Sequence, residues 1–162
     1  MFIKSTSSVG NFEIENHEGI NILELSYTNW FSSKATTILD STNIEIKPKN
    51  IWASKFDILK NGIDKGDITF NWKGNIIIRL ENDENQENEY LLRVTGFWNS
   101  GFELIDKNDI KILSMKPNFN WKKISYNYEV EHTSNTDEHT LTELLIYCGF
   151  GANLYMTMMM AG

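Results

Sequence analysis

The sequence predicts a mainly β protein, a closed antiparallel barrel of about eleven to twelve strands around a hydrophobic C-terminal helix. Three observations carry that reading. Between about residues 11 and 130, short stretches alternate apolar and polar side chains, the period of a half-buried strand, with Gly, Asn and Asp between them. Residues 141–162 carry no charge after Glu143 and are apolar on every side, so a helix there has no solvent face. A barrel of about eight strands is filled by its own side chains, whereas one of eleven or more needs a filler such as a threaded helix.

Taken in order, Phe12 and Ile14 alternate with Glu13 and Glu15 and start a strand. Asn16-His17-Glu18-Gly19 makes a turn, and 20–27 returns with Leu23, Leu25 and Tyr27 on one face. Two more strands, 34–39 and 42–47, join at Asp40-Ser41, and Pro48 ends that element or marks its edge. A strand over 52–59 puts Trp52, Phe56 and Ile58 on one parity. Asn61-Gly62 and Lys65-Gly66 are turn signals. Ile68, Phe70 and Trp72 alternate with polar residues, Lys73-Gly74-Asn75 supplies a hairpin, and Ile76, Ile78 and Leu80 return. Residues 81–89 are wholly polar and are expected to form a solvated loop; EF-hand spacing and its Gly are missing, so no calcium site is expected.

Tyr90, Leu92 and Val94 form the next face, and 102–105 and 110–115 a hairpin. Phe119 and Trp121 point one way on odd numbers, while Ile124, Tyr126, Tyr128 and Val130 continue on even ones. That parity change at Lys122-Lys123 requires a bulge or bend. Residues 131–139 form a polar linker. Asp137 or Thr140 caps a helix over about 139–160, and Thr140-Leu141-Thr142-Glu143 fits a capping box. Within that helix Gly149, Gly151 and Ala152 let the wall approach closely, and the methionines from Met156 to Met160 fill irregular space. The whole chain, 1–162, reads as a single domain.

Residues 12–25 echo residues 102–115. Phe, Glu, two Ile positions and a Leu match, and the turn falls in the same place. Two β-hairpins of chance similarity and a sheet built from two related halves both account for it.

The formal net charge is −7, which argues against a broad nucleic-acid-binding surface. The single cysteine, Cys148, excludes an intrachain disulfide and reads as a small core residue. Residues 1–8 show no apolar h-region, so no secretory signal is expected and a reducing cytoplasm is the default compartment.

No catalytic constellation is legible. His17, His132 and His139 show no zinc-binding spacing, and there is no nucleophile elbow or phosphate loop. The segment 129–139 carries several metal-capable side chains but reads as linker and cap, so neither a metal nor a cofactor is expected. Lys116, Lys122 and Lys123 beside Trp121 form the one compact basic-aromatic cluster, a candidate for an anionic or head-group contact. An edge protected by lysine explains the same residues.

The hairpins 12–25 and 102–115, with short Asp or Asn turns followed by Ile-x-Ile strands, together with the hydrophobic helix near the chain's end, resemble the tubby C-terminal-like superfamily. That group includes LURP-one-related proteins and phospholipid scramblases. The resemblance covers nearly the whole chain as a pattern of elements. It implies a twelve-stranded barrel around a central helix, and a non-enzymatic binding or scaffold module with membrane-lipid association. The expected partner is a protein or a lipid and not nucleic acid, with the protein cytoplasmic or peripheral to a membrane. Two other classes compete. The uncharged run from Leu144 onward could anchor a soluble β domain in a bilayer by its tail. A lipocalin-like carrier of a small apolar ligand has Asn29-Trp30 as its cue, and would have about eight strands with an amphipathic outer helix.

Overall fold

Twelve antiparallel strands close on themselves around one helix. The computed structural model describes residues 1–28, 33–50, 54–71, 73–82, 84–96, 101–133 and 135–160. The strands are β1 (Phe2–Ser5), β2 (Phe12–Glu15), β3 (Asn21–Tyr27), β4 (Ala35–Leu39), β5 (Thr42–Pro48) and β6 (Lys55–Lys60). They continue as β7 (Ile63–Phe70), β8 (Ile76–Glu81), β9 (Glu87–Thr95), β10 (Gly101–Asp106), β11 (Lys111–Asn120) and β12 (Ser125–His132), followed by the helix α1 (Glu138–Met160). Each strand pairs with its neighbours in sequence. The ring closes where Ile3 lies opposite Ile14 of β2 on one side and Tyr128 of β12 on the other.

The alternation in the sequence sorts the two faces of the wall. Phe12, Ile14, Leu25, Ile44, Ile46, Phe56, Ile58, Ile68, Ile76 and Ile78 point inward and are buried. Outward positions carry cross-strand ion pairs, such as Arg79 with Asp67 at 3.2 Å and with Glu89 at 2.9 Å. Such exposed pairs contribute at most about 1 kcal/mol each; the inward face carries the stability.

The helix supplies what the strands cannot. Its 23 residues span about 34 Å and run through the lumen. Every residue from 144 to 153 is buried, so the helix has no solvent face there. Phe150 meets Phe56 at 5.1 Å and Tyr27 at 5.7 Å, and Tyr155 meets Phe102 at 5.7 Å, contacts to strands on different sides of the ring. The helix enters beside the β4–β5 turn, where His139 lies 3.5 Å from Asp40, and leaves beside Gly74 of the β7–β8 connection.

One turn recurs. Asn16, Asn71, Asn82 and Asp106 each accept two backbone N–H bonds on their side-chain oxygen, from residues two and four positions on. This Asx geometry mimics a backbone turn. The third residue on takes a positive φ in all four, at Gly19, Gly74, Asn85 and Asp109. The two echoing hairpins also share a register shift, after Ile14 and after Leu104. They lie eight strands apart, β2 to β10, whereas two halves of twelve strands would repeat at six. The echo is therefore shared turn chemistry, which Asn71 and Asn82 use without the rest of the match.

Several expectations are corrected. β1 was not anticipated. Residues 81–89 are not one loop: Glu81 ends β8, Glu87 and Glu89 belong to β9, and Asn82, Glu84, Asn85 and Gln86 lie in the turn between them. Lys65-Gly66 lies within β7, where a side chain on Gly66 would run into the Arg79 carbonyl. The parity change near Lys122-Lys123 is a turn between two strands and not a bulge within one. Asp137, not Thr140, caps the helix: the Thr140 amide donates to its Oδ1 at 2.9 Å. The capping box does not form, because Glu143 faces Lys60 and Tyr147. Met158 and Met159 fill no space; they stand exposed at the helix tip. A carrier's eight strands are replaced by twelve, with the helix inside. A tail anchor is at odds with a helix that fills the barrel, and no described helix is long and apolar enough to cross a membrane. The Asn29-Trp30 pair, Trp52 and Trp72 lie outside the described residues.

Candidate functional site at one mouth of the barrel

Because neighbouring strands all run antiparallel, connections from odd to even strands share one mouth. The helix C-terminus emerges there. Trp121, Lys122 and Lys123 sit at this mouth, in the turn between β11 and β12. Asn120 builds that turn: its Oδ1 accepts from the Lys122 and Lys123 amides at 3.1 and 3.3 Å. Ile124 completes it at φ 51°, a left-handed conformation that costs a β-branched residue strain. The turn thus holds two apolar side chains in water, Trp121 at 84% exposure and Ile124 at 68%. Trp121 is not loose. Its ring meets Phe119 edge-on at 4.8 Å, and Phe119 meets Tyr126 at 5.1 Å. Lys122 and Lys123 are exposed and enter no ion pair among the described residues. Lys116 is not part of this group. It lies back along β11, opposite Glu129 and roughly 13 Å from the end of the strand.

The helix tip stands beside the turn with Met158 and Met159 exposed, and Val9 of the β1–β2 connection is exposed nearby in the chain's first loop. Between tip and wall lies a cleft of about 260 Å³, lined by Val9, Tyr27, Tyr126, Asn153, Met156 and their neighbours. Its floor is fixed by Asn153. The Tyr128 hydroxyl donates to Asn153 Oδ1 at 3.1 Å, and Asn153 Nδ2 donates to the Gly10 carbonyl at 3.2 Å. Burial pushes the Tyr27 and Tyr128 hydroxyls up, so both stay protonated donors.

The opposite mouth is polar. Lys60 pairs with Glu143, which accepts a 2.8 Å bond from Tyr147 Oη. A cleft of about 440 Å³ beside them is lined by His139, Thr140 and Tyr90, whose hydroxyl is raised by burial and by Glu143 and Asp106. These bonds tie the start of the helix to β6. The metal-capable side chains of 129–139 do not converge: among the described residues no three His, Cys, Asp or Glu side chains form an ion-binding group. Cys148 is fully buried, and burial pushes its thiol up, away from thiolate chemistry.

Sequence reasoning singled out Trp121, Lys122 and Lys123 by their adjacency, and the structure places the three together in one exposed turn. It missed the Tyr128–Asn153 bond, whose signal was a lone Asn in an otherwise apolar run. It also missed Ile124, Met158 and Met159 as exposed groups, since exposure there follows from a turn and from the helix outrunning the wall. Comparison with protein-family models, characterised proteins and solved structures found no significant match for the chain.

Proposed function

We propose that this chain is a non-enzymatic, tubby-like barrel that serves as a binding module through its outer surface, peripheral to a membrane on the cytoplasmic side. The observation that carries the reading is the filled lumen. Residues 144–153 are buried against the inward faces of the strands, so among the described residues the helix occupies the space a carried ligand would need. Recognition then falls to the surface. Twelve strands around a central helix are what the tubby-like resemblance implies, which supports the reading. Trp121 beside Lys122 and Lys123 supplies an amphipathic ring and two cations suited to a bilayer interface.

The test is co-sedimentation of the full chain with vesicles of phosphatidylcholine alone and of phosphatidylcholine with phosphatidylserine. Pelleting with the anionic vesicles, weakened by salt, is the expected result. A chain that stays in the supernatant with both overturns the membrane part of the reading.

A further inference from the structure

We infer that the barrel docks end-on to an anionic bilayer, with the mouth around the helix C-terminus facing the lipid and the barrel axis along the membrane normal. This rests on the membrane-peripheral reading above and names the face and the orientation.

The argument joins strand topology to sequence. The chain has five tryptophans. Trp30 falls between β3 and β4, Trp52 between β5 and β6, Trp72 between β7 and β8, Trp98 between β9 and β10, and Trp121 between β11 and β12. Every one is in an odd-to-even connection. Only Trp121 lies among the described residues, and it is the one tryptophan the structure places at this mouth. The sixth such connection, between β1 and β2, carries the exposed Val9.

Charge divides the same way. In sequence, these six connections hold Lys34, Lys49, Lys73, Lys122 and Lys123 and no Asp or Glu. Among the described residues the connections at the other mouth hold Glu18, Asp40, Glu84, Asp109 and Asp137 against Lys107 alone. Lys34 and Lys49 pair with Glu45 and Asp57 on the wall, so the exposed Lys122 and Lys123 carry most weight. A chain of net charge −7 is repelled by an anionic membrane unless it presents its basic end. This dipole turns the acidic mouth away. Tryptophan prefers the head-group level, which suits the exposed Trp121, and the exposed Met158 and Met159 of the helix tip add apolar area at the same mouth. The acidic mouth also exposes Ile20 and Ile110, with Ile38 and Ile63 exposed on the strands beside it, but its connections carry Glu18, Asp40, Glu84 and Asp109 in place of the lysines of the other mouth.

Trp121 is the described tryptophan at this mouth, and the difference in emission between the parent and Trp121→Ala isolates its signal. With the full chain on phosphatidylserine-containing vesicles, the Trp121 emission is expected to shift to the blue and to be quenched by lipids brominated on their acyl chains. Trp121→Ala with Ile124→Ser, and separately Lys122→Glu with Lys123→Glu, are expected to weaken vesicle binding about tenfold or more. Both pairs are exposed, and an unchanged melting curve shows that the fold is kept. Ile20→Ser with Ile110→Ser is expected to bind like the parent. A chain that pellets with the vesicles while its emission stays unshifted and unquenched, or whose binding is lost only in the Ile20/Ile110 variant, overturns end-on docking and leaves the membrane reading standing. Failure to pellet at all overturns both.

Discussion

The ring of Phe12 lies against the backbone of Gly149. A methyl group there would sit 2.7 Å from Phe12 Cζ and 3.1 Å from two further ring carbons. Phe12 is fully buried in the wall and Gly149 lies mid-helix, so this contact sets how closely helix and barrel approach.

Gly149→Ala is therefore expected to lower stability by roughly 1–2 kcal/mol, although Ala is the better helix former by about 1 kcal/mol. Gly149→Leu costs more. At Gly151 the nearest atom, Ile76 Cγ2, would be 3.2 Å from an added methyl and can yield by a few tenths of an ångström. Gly151→Ala is expected within about 0.5 kcal/mol of the parent, with Gly151→Leu clearly destabilising. Thermal melts of the four variants check this order. Equal effects of the two alanine variants would mean that the helix sits elsewhere in the lumen.

The second prediction concerns Tyr128 and Asn153, whose side chains share a buried 3.1 Å bond. Asn153→Leu strands the Tyr128 hydroxyl and frees the Gly10 carbonyl, at an expected cost of about 2–3 kcal/mol. Tyr128→Phe removes the donor but leaves Asn153 bound to Gly10, and should cost about 1 kcal/mol. Denaturant melts of both variants test the asymmetry. A larger loss for Tyr128→Phe would contradict the assigned partners.

The third concerns pH. The Asp137 carboxyl is held below its ordinary value by the Thr140 amide and hydroxyl. A lowered folded-state value means the cap contributes fully above the ordinary carboxylate range, and its contribution fades as pH falls through the lowered value. Asp137→Ala should melt below the parent at neutral pH, and the gap should close on acidification below about pH 4. A gap independent of pH would show that Asp137 acts by something other than its charge.

The strands were legible where one face is buried and the other wet, as in Ile68 and Phe70 or Ile76 and Ile78. The helix was legible because it is apolar all round. Residues 87–89 were not, because Glu87 and Glu89 are held in β9 by backbone pairing to Glu81 and Arg79, which no side-chain pattern announces. The capping box failed for a related reason: Glu143 finds Lys60, distant in sequence and close only once the helix enters the barrel. The candidate site divides likewise. Trp121, Lys122 and Lys123 are neighbours in the chain and could be read directly. That Trp121 shares its mouth with the exposed Met158 and Met159 of the helix tip can be read only once the strand order and the path of the helix are known.

The claim on which the rest depends is that the helix fills the barrel, and Cys148 tests it most directly. It is the only cysteine, lies mid-helix and is fully buried. The measurement is the rate at which a maleimide or an aromatic disulfide reagent modifies the native chain, followed as denaturant is raised. The account predicts a thiol that is silent in the native protein and reacts, one per chain, across the same transition that unfolds the strands. Prompt stoichiometric labelling of the native protein would contradict it.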